Sequence, residues 1–136
     1  MATFISHSAA ETIAFAQNWA QHLQPNDIVA LRGDLGAGKT HFVKGIVSSF
    51  GSSETVTSPT FTLLHEYRAG RLPIFHFDFY RIENRAAVEN IGFEDYLEEN
   101  GLAVIEWADR YPELLPGRAR WVDFAIESAE ERRITT

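Results

Sequence analysis

The residues from Gly33 to Thr40, GDLGAGKT, have the spacing G-x-x-x-x-G-K-[ST] of a phosphate-binding loop. In such a loop, backbone N–H groups point at phosphate oxygens while the lysine reaches the terminal phosphates. Lys39 is that lysine, and Thr40 is the predicted magnesium ligand. The motif therefore predicts a nucleotide site formed by Gly33, Asp34, Leu35, Gly36, Ala37, Gly38, Lys39 and Thr40.

Two acids end apolar runs elsewhere in the chain. Asp78 closes the run that begins at Ile74, and Glu106 closes the run that begins at Ala103. Phosphate-loop enzymes place a strand-end carboxylate beside the magnesium ion, so both acids are candidate metal ligands and catalytic groups. The sequence does not rank them, and a solvated acid just past a strand is the alternative for each.

Two further segments could border the nucleotide. In Ser58-Pro59-Thr60-Phe61, a hydroxyl follows a rigid proline, which is typical either of a segment ordered by the terminal phosphate or of a strand entry with proline at a sheet edge. Trp107 follows Glu106 and is expected either at the nucleotide site or in the core. The five histidines lack metal-ligand spacing, and His76 is expected to be a packed or hydrogen-bonded sheet residue.

The first half of the chain contains the elements that must position these groups. A capping box at Ser8 to Glu11 and apolar residues at helical spacing predict a helix over 9–23. The apolar run 28–31 predicts a buried strand before the loop. After the loop, an apolar face that includes Phe42 and Phe50 predicts a second helix, which Gly51 ends.

The second half predicts further strands and two short helices. The β-rich segment 55–67 and the run 72–79 flank a turn at 68–71, which indicates a hairpin and hence antiparallel strands in the sheet. Asn84 is the predicted cap of a helix through Ile91, and a second short helix is predicted over 93–99. A strand core at 102–105 and a terminal hairpin of 121–126 with 133–135 complete an α/β pattern.

Composition narrows the class of protein. The chain has 136 residues, which predicts a single domain over 1–136, and 45% of them are hydrophobic. There is no cysteine, which excludes disulfides and thiolate metal sites, and the net charge of −7 disfavours direct binding to a nucleic-acid backbone. The sequence shows neither a signal peptide nor a membrane span, so a cytoplasmic protein without membrane contact is expected.

Several ordered motifs together resemble one family, the bacterial TsaE proteins, which are small ATPases of tRNA threonylcarbamoyladenosine synthesis. The resemblance runs from about residue 4 to residue 133. It rests on GDLGAGKT, SPTFTLLHEY at 58–67, HFDFYRI at 76–82, IGFEDYL at 91–97 and VIEW at 104–107. It implies a phosphate-loop NTPase-like three-layer α/β fold with a mixed, mainly parallel sheet.

The resemblance also implies a function. ATP with Mg²⁺ would be bound and hydrolysed, weakly by the chain alone and faster with its partners, the TsaB–TsaD pair. That pair modifies adenosine 37 of tRNA, so this chain would contact tRNA only indirectly, through the complex. Its own role would be to reset the complex between turnovers. Such a role explains why a chain this short has no second substrate pocket.

By motif, the resemblance assigns roles to individual residues. Lys39 would hold the terminal phosphates, Thr40 and Glu106 would lie at the magnesium, and Asp78 would act at or near it. The remaining nucleotide contacts would come from Thr12, Thr60 and Trp107. The role of Arg132 and Arg133, close to the C-terminus, is left open.

Three other functions compete with this interpretation. A GTP-dependent switch is disfavoured because neither Lys39 nor Lys44 lies in an N-K-x-D element. A small-molecule kinase would need an acceptor site and a lid, and no arginine-rich lid insertion is visible. A nucleotide-binding interaction module with negligible turnover stays open, and stimulation of hydrolysis by partner proteins separates it from an ATPase.

Overall fold

The computed structural model describes residues 2–59 and 62–136. A seven-stranded sheet runs through the molecule in the order β1-β7-β6-β2-β5-β4-β3. Its four central strands, β6, β2, β5 and β4, are parallel, whereas the outer pairings are antiparallel. The strands are β1 (Thr3–Ser6), β2 (Ile28–Gly33), β3 (Leu64–Tyr67), β4 (Ile74–Asp78), β5 (Leu102–Glu106), β6 (Arg120–Ile126) and β7 (Arg132–Thr135).

Within the described ranges, four α-helices cover the two faces of this sheet. They are α1 (Ala9–Trp19), α2 (Lys39–Ser49), α3 (Arg85–Asn90) and α4 (Phe93–Tyr96), and short 3₁₀ turns follow α1 and β5. Among the described residues, no helix is long and apolar enough to cross a bilayer.

The alternation of side chains along β2 divides the core into two parts. Val29 and Leu31 point to the side of α1 and α2, where they join a cluster with Phe42. Ile28 and Ala30 point to the opposite side and join the cluster around Phe93 of α4. Burial on both faces is what a continuous apolar strand run predicts, and it produces the expected three-layer α/β fold.

Helix starts follow the capping signals. The Ser8 hydroxyl accepts a hydrogen bond from the Glu11 N–H at 3.1 Å, as expected for an N-cap. The carboxylate of Glu11, however, accepts from the His7 N–H at 2.8 Å rather than from that of Ser8, so only half of the predicted capping box forms. Asn84 caps α3 through the Ala87 N–H at 3.0 Å, as predicted.

One predicted strand boundary is wrong, and one strand was not predicted. Among the described residues of the segment predicted as β-rich over 55–67, only Leu64–Tyr67 form a strand, and residues 52–59 are irregular. Strand β1 was not predicted, because its four residues lack a strong alternation; it forms by pairing with β7 at the sheet edge. This pairing brings the two ends of the described chain together.

Candidate nucleotide-binding site

The phosphate loop joins the end of β2 to the start of α2. Gly38 has a φ of 98° at the N-cap of α2, a conformation that a side chain disfavours. The loop therefore ends at the N-terminus of an eleven-residue helix, whose free N–H groups and dipole favour an anion. Leu35 at the loop apex is 73% exposed, whereas Ala37 is buried.

Lys39 is buried beneath this loop. Its amine donates to the carbonyl of Gly33 and, at 3.3 Å, to that of Asp34, and it lies 3.7 Å from the centre of the Trp107 ring. Burial lowers the pKa of Lys39, and the nearby carboxylate of Glu106 opposes that shift. A phosphate oxygen would give the amine a charged partner in place of neutral carbonyls.

Trp107 reaches this position through an uncommon backbone conformation. Its φ is 58° and its ψ is 36°, the left-handed region that large side chains rarely adopt. The ring also lies 4.7 Å from that of Tyr80, centre to centre. Trp107 lines a cavity beside the loop and also packs against the core cluster around Phe93, so both interpretations of this residue stay open.

Glu106 lies next to the loop because β5 is the direct neighbour of β2. Leu31 of β2 pairs with Glu106 in the parallel register. The hydroxyl of Thr40 donates towards the two carboxylate oxygens of Glu106, each at 3.2 Å. Two oxygen-bearing groups that the sequence separates by 66 residues are thus in contact.

Asp78 lies one strand further along the sheet. It pairs with Glu106 in the register of β4 and β5 and is 1% exposed. Its carboxylate accepts from the Ser58 hydroxyl at 3.1 Å and from the Tyr80 N–H at 2.8 Å. Because of this strand order, Glu106 contacts Thr40 and Asp78 contacts Ser58.

Two cavities border the loop. The Glu106 cavity has a volume of about 610 Å³ and is lined by Lys39, Thr40, Asp78, Glu106 and Trp107 among others. The Thr12 cavity has a volume of about 500 Å³, and residues from both ends of the chain line it. Because both are lined by Gly36, Gly38 and His41, they form two lobes on either side of one loop.

Thr12 faces its cavity from α1 and is 3% exposed. The Ser6 hydroxyl donates to the Ser8 carbonyl at 2.8 Å and lies 2.7 Å from the Thr12 hydroxyl oxygen. Because the single proton of Ser6 is used on the carbonyl, Thr12 must donate to Ser6. The Thr12 oxygen therefore presents acceptor lone pairs to the cavity.

Two residues that the sequence did not assign to this site contact it. Arg132 lines the Thr12 cavity and donates to the Gly36 carbonyl at 3.2 Å, a contact that depends on β7 returning beside the loop. His76 was expected to be a packed or hydrogen-bonded sheet residue; it is fully buried, and its Nε2 contacts Glu106 at 2.6 Å. Thr60 lies outside the described residues.

The oxygen-rich donor set suits magnesium. A hydroxyl and two carboxylates are ligands of the kind that Mg²⁺ prefers, and such sites are usually completed by phosphate oxygens and water. In the described part of the chain, no cluster of three or more histidine and acidic side chains forms a metal site from protein groups alone. The hydroxyl of Thr40 and the carboxylates of Glu106 and Asp78 fit a metal ion whose other ligands are phosphate oxygens and water.

Comparison with known proteins gives a consistent family. The family model "Threonylcarbamoyl adenosine biosynthesis protein TsaE" matches residues 6–134. Proteins described as "tRNA threonylcarbamoyladenosine biosynthesis protein TsaE" are similar to the chain over most of its length. That of Bacillus subtilis is 40% identical over 125 residues, 92% of this chain and 78% of the relative. That of Treponema pallidum is 37% identical over 131 residues, 96% of each chain.

A solved structure has a similar fold. The crystal structure of YdiB from Bacillus subtilis superposes with a TM-score of 0.84 at 33% sequence identity. The match covers 98% of this chain and 82% of that one. The likeness therefore includes the sheet, both helical layers and the loop.

Proposed function

Because the chain belongs to the TsaE family, we propose that it binds Mg·ATP and hydrolyses it in support of tRNA threonylcarbamoyladenosine biosynthesis. The observation that carries this proposal is the contact of Thr40 with Glu106 at the end of the phosphate loop. It puts a hydroxyl and a carboxylate where the loop presents a triphosphate.

The phosphates are proposed to lie on the loop amides from Gly33 to Thr40. Lys39 exchanges its carbonyl partners for the terminal phosphate oxygens, which offsets the cost of keeping a buried cation. The ring of Trp107 covers the amine from the other side and limits the access of water. These contacts orient the terminal phosphate towards the Glu106 cavity.

Magnesium is proposed to be held at Thr40 and Glu106, with Asp78 at or near it. When bound, the ion neutralises charge that develops on the phosphate oxygens during cleavage. The carboxylate of Asp78 also accepts hydrogen bonds from the Ser58 hydroxyl and the Tyr80 N–H, so it connects the site to the segments that carry these two residues. Thr60 is proposed as a nucleotide contact from its place in the motif alone. Glu106 and Asp78 are the residues that we propose for positioning the attacking water.

The base is proposed to occupy the Thr12 cavity. Since Thr12 presents only acceptor lone pairs there, it suits the 6-amino group of adenine and disfavours the 6-oxo group of guanine. Arg132 closes the same cavity from β7. These contacts support ATP rather than GTP as the nucleotide.

The partners are proposed to be the TsaB–TsaD pair, with tRNA met only through that complex. Two large apolar groups, Leu35 and Tyr80, are exposed at the mouth of the Glu106 cavity, where hydrolysis would change the surface that a partner meets. Cleavage of ATP would then reset the complex rather than activate a second substrate.

The test is ATP hydrolysis by the purified chain with and without TsaB–TsaD. We expect slow turnover alone, a clear rise with the pair, and loss of the rise in Lys39→Ala. Lys44→Ala is the matched control, since this lysine lies on α2 outside the residues that line the Glu106 cavity. Binding of ATP without a partner-dependent rise would favour the interaction module, and a parent protein that ignores Mg·ATP would exclude both functions.

A further inference from the structure

His76 lies directly behind Glu106. It is fully buried in β4, and its Nε2 is 2.6 Å from Oε2 of Glu106, which is itself 3% exposed. An ionised carboxylate only accepts hydrogen bonds, so Nε2 carries a proton and donates a hydrogen bond to Glu106. The short contact is typical of a charge-assisted hydrogen bond.

Tyr67 determines the orientation of the same ring from the other side. Its hydroxyl lies 3.3 Å from Nδ1 of His76 and is buried on β3. In the neutral ring with its proton on Nε2, Nδ1 is an acceptor, so a hydrogen bond between the two groups requires the Tyr67 hydroxyl to donate. The Thr57 carbonyl is a second acceptor for the same proton, at the longer distance of 3.5 Å. A directed chain of hydrogen bonds therefore runs from Tyr67 through His76 to Glu106.

The carboxylate of Glu106 needs such a support. The last torsion of a glutamate side chain is broad, so the backbone of β5 alone does not fix where the two oxygens point. The contact from His76 restrains Oε2 from inside the protein, and Thr40 contacts both oxygens from the loop. Together they turn the carboxylate towards the Glu106 cavity.

We propose that His76 is a positioning residue that fixes the Glu106 carboxylate for magnesium, and that Tyr67 orients His76. The inference rests on the proposed function, since it concerns the same site. His76 acts through Glu106 and not on the nucleotide, because its side chain is fully buried. Loss of a partner that orients a metal ligand typically costs about ten- to a hundred-fold in metal affinity or activity.

The test is calorimetry of ATP binding to the full chain in EDTA and over a magnesium series. For His76→Leu, we expect an unchanged ATP affinity in EDTA, because the loop is intact. The magnesium concentration that half-saturates the gain in affinity should rise about ten-fold or more. The turnover number should fall while the KM for ATP changes little.

Two further variants separate positioning from packing. His76→Gln retains a donor near the place of Nε2 and should recover much of the magnesium response, whereas Tyr67→Phe removes only the hydroxyl and should show a smaller loss. His65→Gln is the matched control: His65 faces His76 across β3 and β4, and its Nδ1 lies 3.5 Å from the Tyr67 hydroxyl.

Each result bears on the inference. A parent-like magnesium response in His76→Leu would overturn it while leaving the proposed function in place. If His76→Leu does not fold, equal defects in His76→Gln and His65→Gln would overturn it. A parent protein that binds ATP with no gain from magnesium would overturn both the inference and the proposed metal site.

Discussion

At the scale of single residues, the hydrogen bonds of Ser6 lead to a prediction about selectivity between ATP and GTP. The Ser6 hydroxyl donates its proton to the Ser8 carbonyl and accepts that of Thr12. Ser6→Ala frees the Thr12 hydroxyl to turn its proton into the cavity, where it could meet the 6-oxo group of guanine. One hydrogen bond contributes about 1 kcal/mol, so the ratio of GTP to ATP dissociation constants should fall roughly five- to ten-fold. Calorimetry with both nucleotides measures that ratio.

Two variants test whether the hydrogen bond between Ser6 and Thr12 determines the selectivity. Thr12→Val removes the acceptor and should weaken ATP binding, while Ser48→Ala, on the exposed face of α2, should keep the parent ratio. Unchanged selectivity in both Ser6→Ala and Thr12→Val would show that the base does not meet Thr12.

For single residues, the sequence is most informative where a motif has a fixed spacing. The spacing of GDLGAGKT is enough to predict Lys39 and Thr40 as neighbours of the phosphates. Asp78 and Glu106 could not be ranked, because their distances from the loop depend on β5 being inserted between β2 and β4. His76 and Arg132 were missed as site residues for the same reason, since strand pairing brings each to its contact.

At the scale of elements, the crossing of α1 and α2 depends on Gly45. A Cβ at this position would lie 2.5 Å from the Cβ of Ala16 and would also meet the backbone carbonyl of Ile13. Gly45→Ala improves helix propensity by about 1 kcal/mol, but overpacking costs typically 1–3 kcal/mol. Because a carbonyl cannot rotate away as a side chain can, we expect a net loss of about 1 kcal/mol in the free energy of unfolding.

Denaturant titration measures that loss, and ATP affinity should fall with it. The reason is that α1 carries Thr12 whereas α2 carries Lys39 and Thr40, so separating the helices widens the nucleotide site. Gly117→Ala is the matched control, since a Cβ there meets nothing within 4 Å. Equal stabilities of the two variants would contradict the prediction, because the overpacking at Gly45 would then cost no more than the gain in helix propensity.

Elements were predictable from sequence in proportion to their burial. The apolar runs of β2 and β5 and the apolar face of α2 are long enough to show a period. Strand β1 has four residues, too few to show a clear period, and it forms because it pairs with β7. The irregular segment 52–59 is rich in β-branched residues yet forms no strand, which shows how weakly strand propensity acts without a neighbour.

At the scale of the whole molecule, the site joins distant parts of the chain. The loop lies at the carboxyl end of the central strand, β5 and β4 supply the acids, and the pairing of β1 with β7 closes the Thr12 cavity. A nucleotide in both cavities would therefore contact residues from nearly the full length of the described chain. The nucleotide would have to dissociate before or as the whole domain unfolds.

Bound ATP should therefore raise the thermal stability of the entire domain. At a hundred-fold excess over its dissociation constant, a ligand specific to the folded state contributes about 2.7 kcal/mol, or roughly 10 °C in Tm for a domain of this size. Scanning calorimetry with Mg·ATP measures the shift. Lys39→Ala should show little shift at the same concentration, while Lys44→Ala should respond as the parent does. An equal rise in Lys39→Ala would mean that ATP binds away from the phosphate loop.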